Sequence, residues 1–138
     1  MTKSVTRELM FPQSRDEVWQ ALTDRASLAE WMYPNDFEAR VGHRFTFHVP
    51  PDPQAKFDGL VVHCEVLECA PPEHLSFSWV VGDLNTRVDY RLEADGKGTK
   101  VFFEQSGFER ENAYRGAGYG WNQMHGKLAD LLARISAG

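Results

Sequence analysis

The chain has 138 residues, of which 42% are hydrophobic and 25% are charged, and its formal net charge is −5 at pH 7. Such a length and composition are typical of one globular domain with its own core, so we expect residues 1–138 to form a single domain. The acidic balance, without runs of basic residues, argues against nucleic acid as a partner. Because no apolar stretch is long enough to insert into a membrane and the first residues are too polar for a signal peptide, the expected location is the cytoplasm.

The first part of the chain predicts one strand followed by two short helices. Residues 4–11 alternate between apolar and polar side chains, as a strand does, and Arg7 falls in the apolar row. Ser14 and Glu17 match the S-x-x-E capping box, which predicts that a helix begins there. A second short helix is predicted over residues 27–32.

The middle of the chain predicts consecutive antiparallel strands. From residue 37 onward the hydrophobic period is two, and each stretch has one apolar face. Pro71-Pro72 and the sequence ADGKGT mark turns between the stretches, and residues 106–112 are interpreted as a loop. The apolar rows lie within residues 45–49, 60–66, 75–81, 86–92 and 99–103.

The end of the chain, residues 114–135, predicts a long amphipathic helix with one buried stripe. Its first turns contain three glycines, although glycine weakens a helix. They do not form a dinucleotide motif, because Trp121 stands where the third glycine of G-x-G-x-x-G is required. Gly118 lies in the buried stripe, and we interpret it as making room beside Trp121 for the sheet or a ligand. Gly116 and Gly120 lie outside the stripe and are interpreted as flexibility at the start of the helix.

This order of elements predicts an α+β fold. Consecutive strands with one polar face favour a curved antiparallel sheet of about six or seven strands. The two short helices after the first strand and the long C-terminal helix are then expected on the other face of that sheet.

Several short motifs along the chain carry a family resemblance. They are Val18-Trp19, Leu28 with Trp31, Gly42 before a strand, Gly98-Thr99, and Gly120-Trp121. With them the chain resembles the Activator of heat shock protein 90 ATPase homologue family, within the START and Bet v 1-like (SRPBCC) superfamily. The resemblance implies a helix-grip fold, in which the sheet wraps around the C-terminal helix and encloses a cavity for lipids, hormones or polyketides. It also implies contact with a chaperone, and some superfamily relatives catalyse cyclisation.

The residues predicted to line this cavity lie on the inner face of the sheet or in the buried stripe of the last helix. They are Trp31, Phe45, Phe47, Trp79, Tyr90, Phe103, Tyr114, Gly118, Trp121, Met124 and His125. Rings of this kind line apolar pockets, and they fill hydrophobic cores equally well. His125 is interpreted either as a polar anchor for a ligand or as a core histidine bonded to a backbone carbonyl. The other four histidines are interpreted as surface residues.

Three functional hypotheses follow from this pattern. The first is a binding module for a small apolar or amphipathic molecule, acting as a monomer or homodimer. The second is an enzyme of the cyclase or hydrolase type, in which His125 and a carboxylate act as acid and base. The third is a protein-interaction or co-chaperone module. The first two require a cavity of several hundred cubic ångströms between sheet and helix. The sequence contains no G-x-S-x-G or H-x-x-x-H motif, so no catalytic residue, metal site or cofactor is predicted.

Overall fold

The structure, a computed structural model, describes residues 2–54 and 56–137. Within them the elements are β1 (Lys3–Phe11), α1 (Arg15–Thr23), α2 (Arg25–Trp31), β2 (Arg44–Val49), β3 (Leu60–Ala70), β4 (His74–Val81), β5 (Leu84–Asp95), β6 (Gly98–Phe108) and α3 (Glu111–Ala137). The six strands form one antiparallel sheet in the order β1-β6-β5-β4-β3-β2. The predicted α+β helix-grip fold is confirmed, with six strands in the sheet. None of the described helices combines the length and apolarity needed to cross a membrane.

The two short helices begin at side-chain caps. At α1, the Ser14 hydroxyl accepts the backbone N–H of Glu17 at 3.3 Å, and the Glu17 carboxylate accepts the backbone N–H of Ser14 at 3.1 Å. This is the capping box that the sequence predicted. In contrast, α2 begins at Arg25, earlier than the predicted residue 27, because the carboxylate of Asp24 accepts the backbone N–H of Ser27 at 3.0 Å.

Replacing Ser14 by alanine is expected to lower the free energy of unfolding by about 1 kcal/mol, since the first turn of α1 loses its side-chain acceptor. Urea denaturation of the variant and the parent chain measures the loss. Glu17→Gln is the matched control, because glutamine also fits the capping box and should change stability less. A Ser14→Ala variant as stable as the parent would contradict this account of the helix start.

The last strand is longer than the sequence predicted. The interpretation of residues 106–112 as a loop was wrong at both ends, because β6 extends to Phe108 and α3 already begins at Glu111. Ser106 pairs with Ser4 of β1 and with Arg87 of β5. Gly107 has φ 103°, and the register with β1 shifts at this point. This irregularity interrupts the alternation of apolar and polar residues, and the predicted strand therefore ended before the observed one.

The hydrophobic core lies between the inner face of the sheet and the three helices. Its largest fully buried side chains include Trp31, Trp121, Tyr90, Phe37, Phe47 and Phe103. On α3 the buried residues are Trp121, His125, Leu128, Leu131 and Leu132. Residues 111–120 are all half-buried or exposed. The second half of α3 is therefore anchored in the core, whereas the first half lies at its edge.

Candidate functional site

The predicted cavity residues divide into a buried and a half-buried group. The buried ones are Trp31, Phe45, Phe47, Tyr90, Phe103, Trp121 and His125. The half-buried ones are Trp79, Tyr114, Gly118 and Met124. The structure therefore places most of these side chains in the interior between sheet and α3, as their phase along strand and helix predicted.

The buried rings pack around His125. The centre of its ring lies 4.8 Å from that of Phe103 and 5.4 Å from that of Trp121, on which it stacks. Tyr90 and Trp31 complete the surroundings at 5.9 and 6.1 Å. The packing continues from Trp121 to Trp79, Phe47 and Phe45, with successive ring centres 5.4 to 5.6 Å apart. We call these eight residues the aromatic cluster. Tyr114 lies outside it and contacts Phe108 instead, with ring centres 6.1 Å apart.

The rings of the aromatic cluster fill the space that a ligand would occupy. Five of the clefts that the described residues form have volumes of about 320 to 480 Å³, and none of these five is lined by Trp121 or His125. One cleft of about 320 Å³ reaches the edge of the interior between β1 and α3; we call it the β1–α3 cleft. It includes two of the predicted residues, Tyr114 and Gly118. Ligand access to the aromatic cluster therefore requires movement of side chains or of α3.

His125 has one satisfied and one unsatisfied ring nitrogen. Its Nε2 lies 2.9 Å from the hydroxyl oxygen of Tyr90. Its Nδ1 is buried and has no hydrogen-bond partner among the described residues. The residue is only 5% exposed. Within the described part of the chain, His125 forms no hydrogen bond to a backbone carbonyl or to a carboxylate, the two partners considered from the sequence; its partner is a tyrosine hydroxyl.

Burial keeps both members of this pair uncharged. Removal from water, with a smaller effect of the positive charge of Arg7, lowers the pKa of His125 from 6.5 to about 4. Burial also raises the pKa of Tyr90 well above its usual value of 10.0. A neutral imidazole carries one N–H and one acceptor nitrogen, so Nδ1 donates or accepts according to the tautomer. The pair can orient a polar group, but a base with so low a pKa accepts protons poorly near pH 7.

A second buried polar group, Gln105, which the sequence pattern did not single out, orients the ring of Trp121. The indole N–H of Trp121 donates to the side-chain oxygen of Gln105 at 2.5 Å. The amide of Gln105 donates to the hydroxyl of Thr86 at 2.9 Å, and Thr86 donates to the backbone oxygen of Trp79 at 2.9 Å. Gln105 follows Phe103 in the inward-facing row of β6. Its position in this alternation was the sequence signal that could have predicted its burial. This hydrogen-bonded chain fixes the position of Trp121 in the aromatic cluster.

Gly118 lies against Arg7 of β1. A Cβ atom added to Gly118 would lie 3.2 Å from Nη2 of Arg7. The space that the missing side chain leaves is therefore occupied by a guanidinium group. At Gly116 and Gly120 an added Cβ would meet nothing within 4 Å. Packing does not require glycine at these two positions, and their role in flexibility stays a prediction.

Two of the four histidines interpreted as surface residues are largely covered. The side chain of His74 is 12% exposed, with Nδ1 2.7 Å from Glu68 and Nε2 3.2 Å from Asp89. That of His43 is 16% exposed and lies 3.0 Å from Glu38. The imidazole rings of His74 and His43 both contact carboxylates, whereas His48 and His63 are exposed to solvent. Along residues 2–54 and 56–137 no three His, Cys, Asp or Glu side chains converge as a metal ion requires.

Comparison with known proteins identifies the family. The model of the family described as Activator of Hsp90 ATPase homolog 1-like protein matches residues 12–133. The chain belongs to this family. Protein MLL2253 from Mesorhizobium loti is 35% identical and has a TM-score of 0.88, with 96% of this chain and 98% of that one covered. A comparison with curated proteins found no match.

Two other solved structures are similar in fold to this member of the Activator of Hsp90 ATPase homolog 1-like family. CalU16 from Micromonospora echinospora is 24% identical with a TM-score of 0.78, over 99% of this chain and 80% of that one. DynU16, a protein of the dynemicin biosynthetic locus, is 24% identical with a TM-score of 0.81, over 94% of this chain and 47% of that one. This chain thus spans about half of DynU16. At this identity the two likenesses show the shared START/Bet v 1-like fold.

Proposed function

We propose that this member of the Activator of Hsp90 ATPase homolog 1-like family binds a small, largely apolar molecule between the sheet and α3, with His125 as its polar anchor. The observation that carries the proposal is the unpartnered Nδ1 of His125 inside the aromatic cluster. Buried polar atoms without partners are rare, because each costs about 1–3 kcal/mol. A ligand with one hydrogen-bonding group would satisfy Nδ1. Because the rings of the aromatic cluster fill this space in the structure, the ligand binds only after α3 and some of these rings move apart, and the rings then form its apolar walls.

The first half of α3 is the proposed entrance to this site. Residues 111–120 are half-buried or exposed and include three glycines, whereas the buried stripe begins at Trp121. Because glycine weakens a helix by about 1 kcal/mol against alanine, this half bends or frays more readily than the second. Its displacement from β1 would extend the β1–α3 cleft toward Trp121 and His125. The contacts of Leu128 and Leu132 need not break.

The surroundings of His125 favour binding over the cyclase or hydrolase alternative. Acid–base catalysis by a histidine requires a pKa near the working pH, and burial holds the pKa of His125 at about 4. Its hydrogen-bond partner is the hydroxyl of Tyr90, which is itself kept neutral by burial. Such a pair recognises a polar group of a ligand and leaves it chemically unchanged.

Fluorescence titration with N-phenylnaphthylamine tests the proposal. This neutral molecule has apolar rings and one N–H, and its emission rises in apolar surroundings. We expect saturable binding to the full chain. His125→Phe is expected to weaken binding about fivefold, because one hydrogen bond of about 1 kcal/mol is lost while an aromatic ring is retained.

The matched control is His48→Phe, which changes an exposed histidine of β2 and should leave the affinity unchanged. Circular dichroism checks that both variants are folded. Absence of saturable binding to the parent chain would contradict the proposal. So would an equal affinity of the parent chain and the His125→Phe variant.

A further inference from the structure

The inner face of β1 carries a cation in an otherwise apolar row. Arg7 is half-buried; its neighbours in that row are Val5, which is buried, and Leu9, which is half-buried. Arginines on the rest of the described surface are mostly paired with carboxylates; they are Arg15, Arg25, Arg40, Arg44, Arg87, Arg110, Arg115 and Arg134. Among the described residues no carboxylate forms an ion pair with Arg7. Arg91 also lacks one, but it is exposed to water.

The hydrogen bonds of Arg7 all go to neutral oxygens. Its Nε donates to the side-chain oxygen of Asn122 at 2.8 Å, and its Nη1 donates to the backbone oxygen of Thr6 at 2.7 Å. Its Nη2 lies 3.4 Å from the backbone oxygen of Gly118, which is a long hydrogen bond. A guanidinium group has five N–H donors, so two have no acceptor among the described residues.

Arg7 lies where the proposed entrance meets the aromatic cluster. It lines the β1–α3 cleft together with Tyr114, Gly118 and Asn122. Its positive charge is felt at His125, whose pKa it helps to lower. A ligand that enters through this cleft toward His125 therefore passes the guanidinium group.

We infer that Arg7 binds the carboxylate of an amphipathic ligand whose apolar body lies in the aromatic cluster. The inference rests on the proposed function and specifies the chemical class of its ligand. The planar fork of a guanidinium group matches the two oxygens of a carboxylate, and such charge-assisted hydrogen bonds are stronger than neutral ones. In a partly buried cleft the pair is also screened less by salt than at the surface.

A purely structural role for Arg7 makes a different prediction. In that case its bonds to Asn122 and Gly118 only hold β1 against α3. Loss of Arg7 would then loosen the cleft for charged and neutral ligands alike. The ratio of the two affinities therefore separates recognition of an anion from support of the fold.

Two molecules with the same ring system, N-phenylanthranilate and diphenylamine, measure this ratio, because they differ by one carboxylate. Each is titrated against N-phenylnaphthylamine bound to the full chain. We expect the parent chain to prefer N-phenylanthranilate about tenfold to hundredfold. Arg7→Met is expected to abolish the preference. Arg7→Gln, which retains hydrogen-bond donors without the charge, should abolish it as well and serves if Arg7→Met does not fold.

The control variant is Arg134→Met, which removes an exposed arginine near the end of α3 and should retain the preference. Equal binding of the two molecules by the parent chain would overturn the inference and leave the proposed function standing. A preference that survives loss of the charge at Arg7 would overturn it too. If diphenylamine and N-phenylnaphthylamine do not bind at all, the proposed function fails and the inference fails with it.

Discussion

Replacing Trp31 by alanine is expected to lower the free energy of unfolding by about 3–5 kcal/mol. The indole is 1% exposed and packs on the rings of Tyr90 and His125, 6.5 and 6.1 Å away between centres. Its N–H also donates to the backbone oxygen of Ala21 at 3.0 Å. The variant therefore loses buried apolar area, contacts inside the aromatic cluster and the partner of a buried carbonyl.

Urea denaturation followed by circular dichroism measures this loss. Trp19→Ala is the matched control, because Trp19 is half-buried on α1 and packs at the edge of the core. We expect Trp19→Ala to lower the free energy of unfolding clearly less than Trp31→Ala does. Point mutations commonly lower the free energy of unfolding by about 1 kcal/mol. A loss no larger than this for Trp31→Ala would show that the indole is not tightly packed in the interior.

The second large effect is a loss of stability in acid that depends on His125. The folded chain holds the pKa of His125 at about 4, against 6.5 for an unburied histidine. Between these values the unfolded chain binds a proton that the folded chain does not. The stability associated with neutral, buried His125 is therefore fully present above about pH 6.5, and it is lost progressively as the pH falls to about 4. Since one pKa unit corresponds to about 1.4 kcal/mol, the loss reaches about 3 kcal/mol.

Urea denaturation at a series of pH values tests this effect through the difference between the parent chain and His125→Gln. Taking the difference removes the contribution of carboxylates that titrate in the same range. We expect the two stability curves to converge as the pH falls from about 6.5 to 4. His48→Gln, which changes an exposed histidine, should run parallel to the parent chain. Parallel curves for His125→Gln would show that His125 is not buried in neutral form.

The secondary structure was predictable because its determinants are local. The capping box of Ser14 and Glu17 lies within one helical turn, and it places the start of α1 correctly. The start of α2 was placed too late although its cap, Asp24, is also local. The error in β6 has a different cause, because the end of that strand depends on another part of the chain. β6 extends past Gly107 because Lys3 of β1 pairs with Phe108, and no feature of residues 106–108 alone indicates it.

The candidate site was predictable in its composition more than in its contacts. The phase of each strand and of α3 indicated that Tyr90, Trp121 and His125 face the interior, and they do. The bond between Tyr90 and His125 was not predictable, because it joins residues 35 positions apart. The role of Gln105 was not predicted, because a polar residue in an inward-facing row usually indicates that the strand ends. Its hydrogen-bond partners, Thr86 and Trp121, lie on other elements.

Neighbouring residues were enough to predict which side chains point inward and in what order the elements follow, because the periods of strands and helices are local patterns. How the inward side chains share the interior depends on the packing of distant elements. This packing filled the expected cavity with rings, and it placed the guanidinium of Arg7 beside Gly118, which the pattern had reserved for a ligand or for close packing. The reason is distance along the chain: Arg7 and Gly118 are 111 positions apart. Their contact exists only once β1 and α3 pack together.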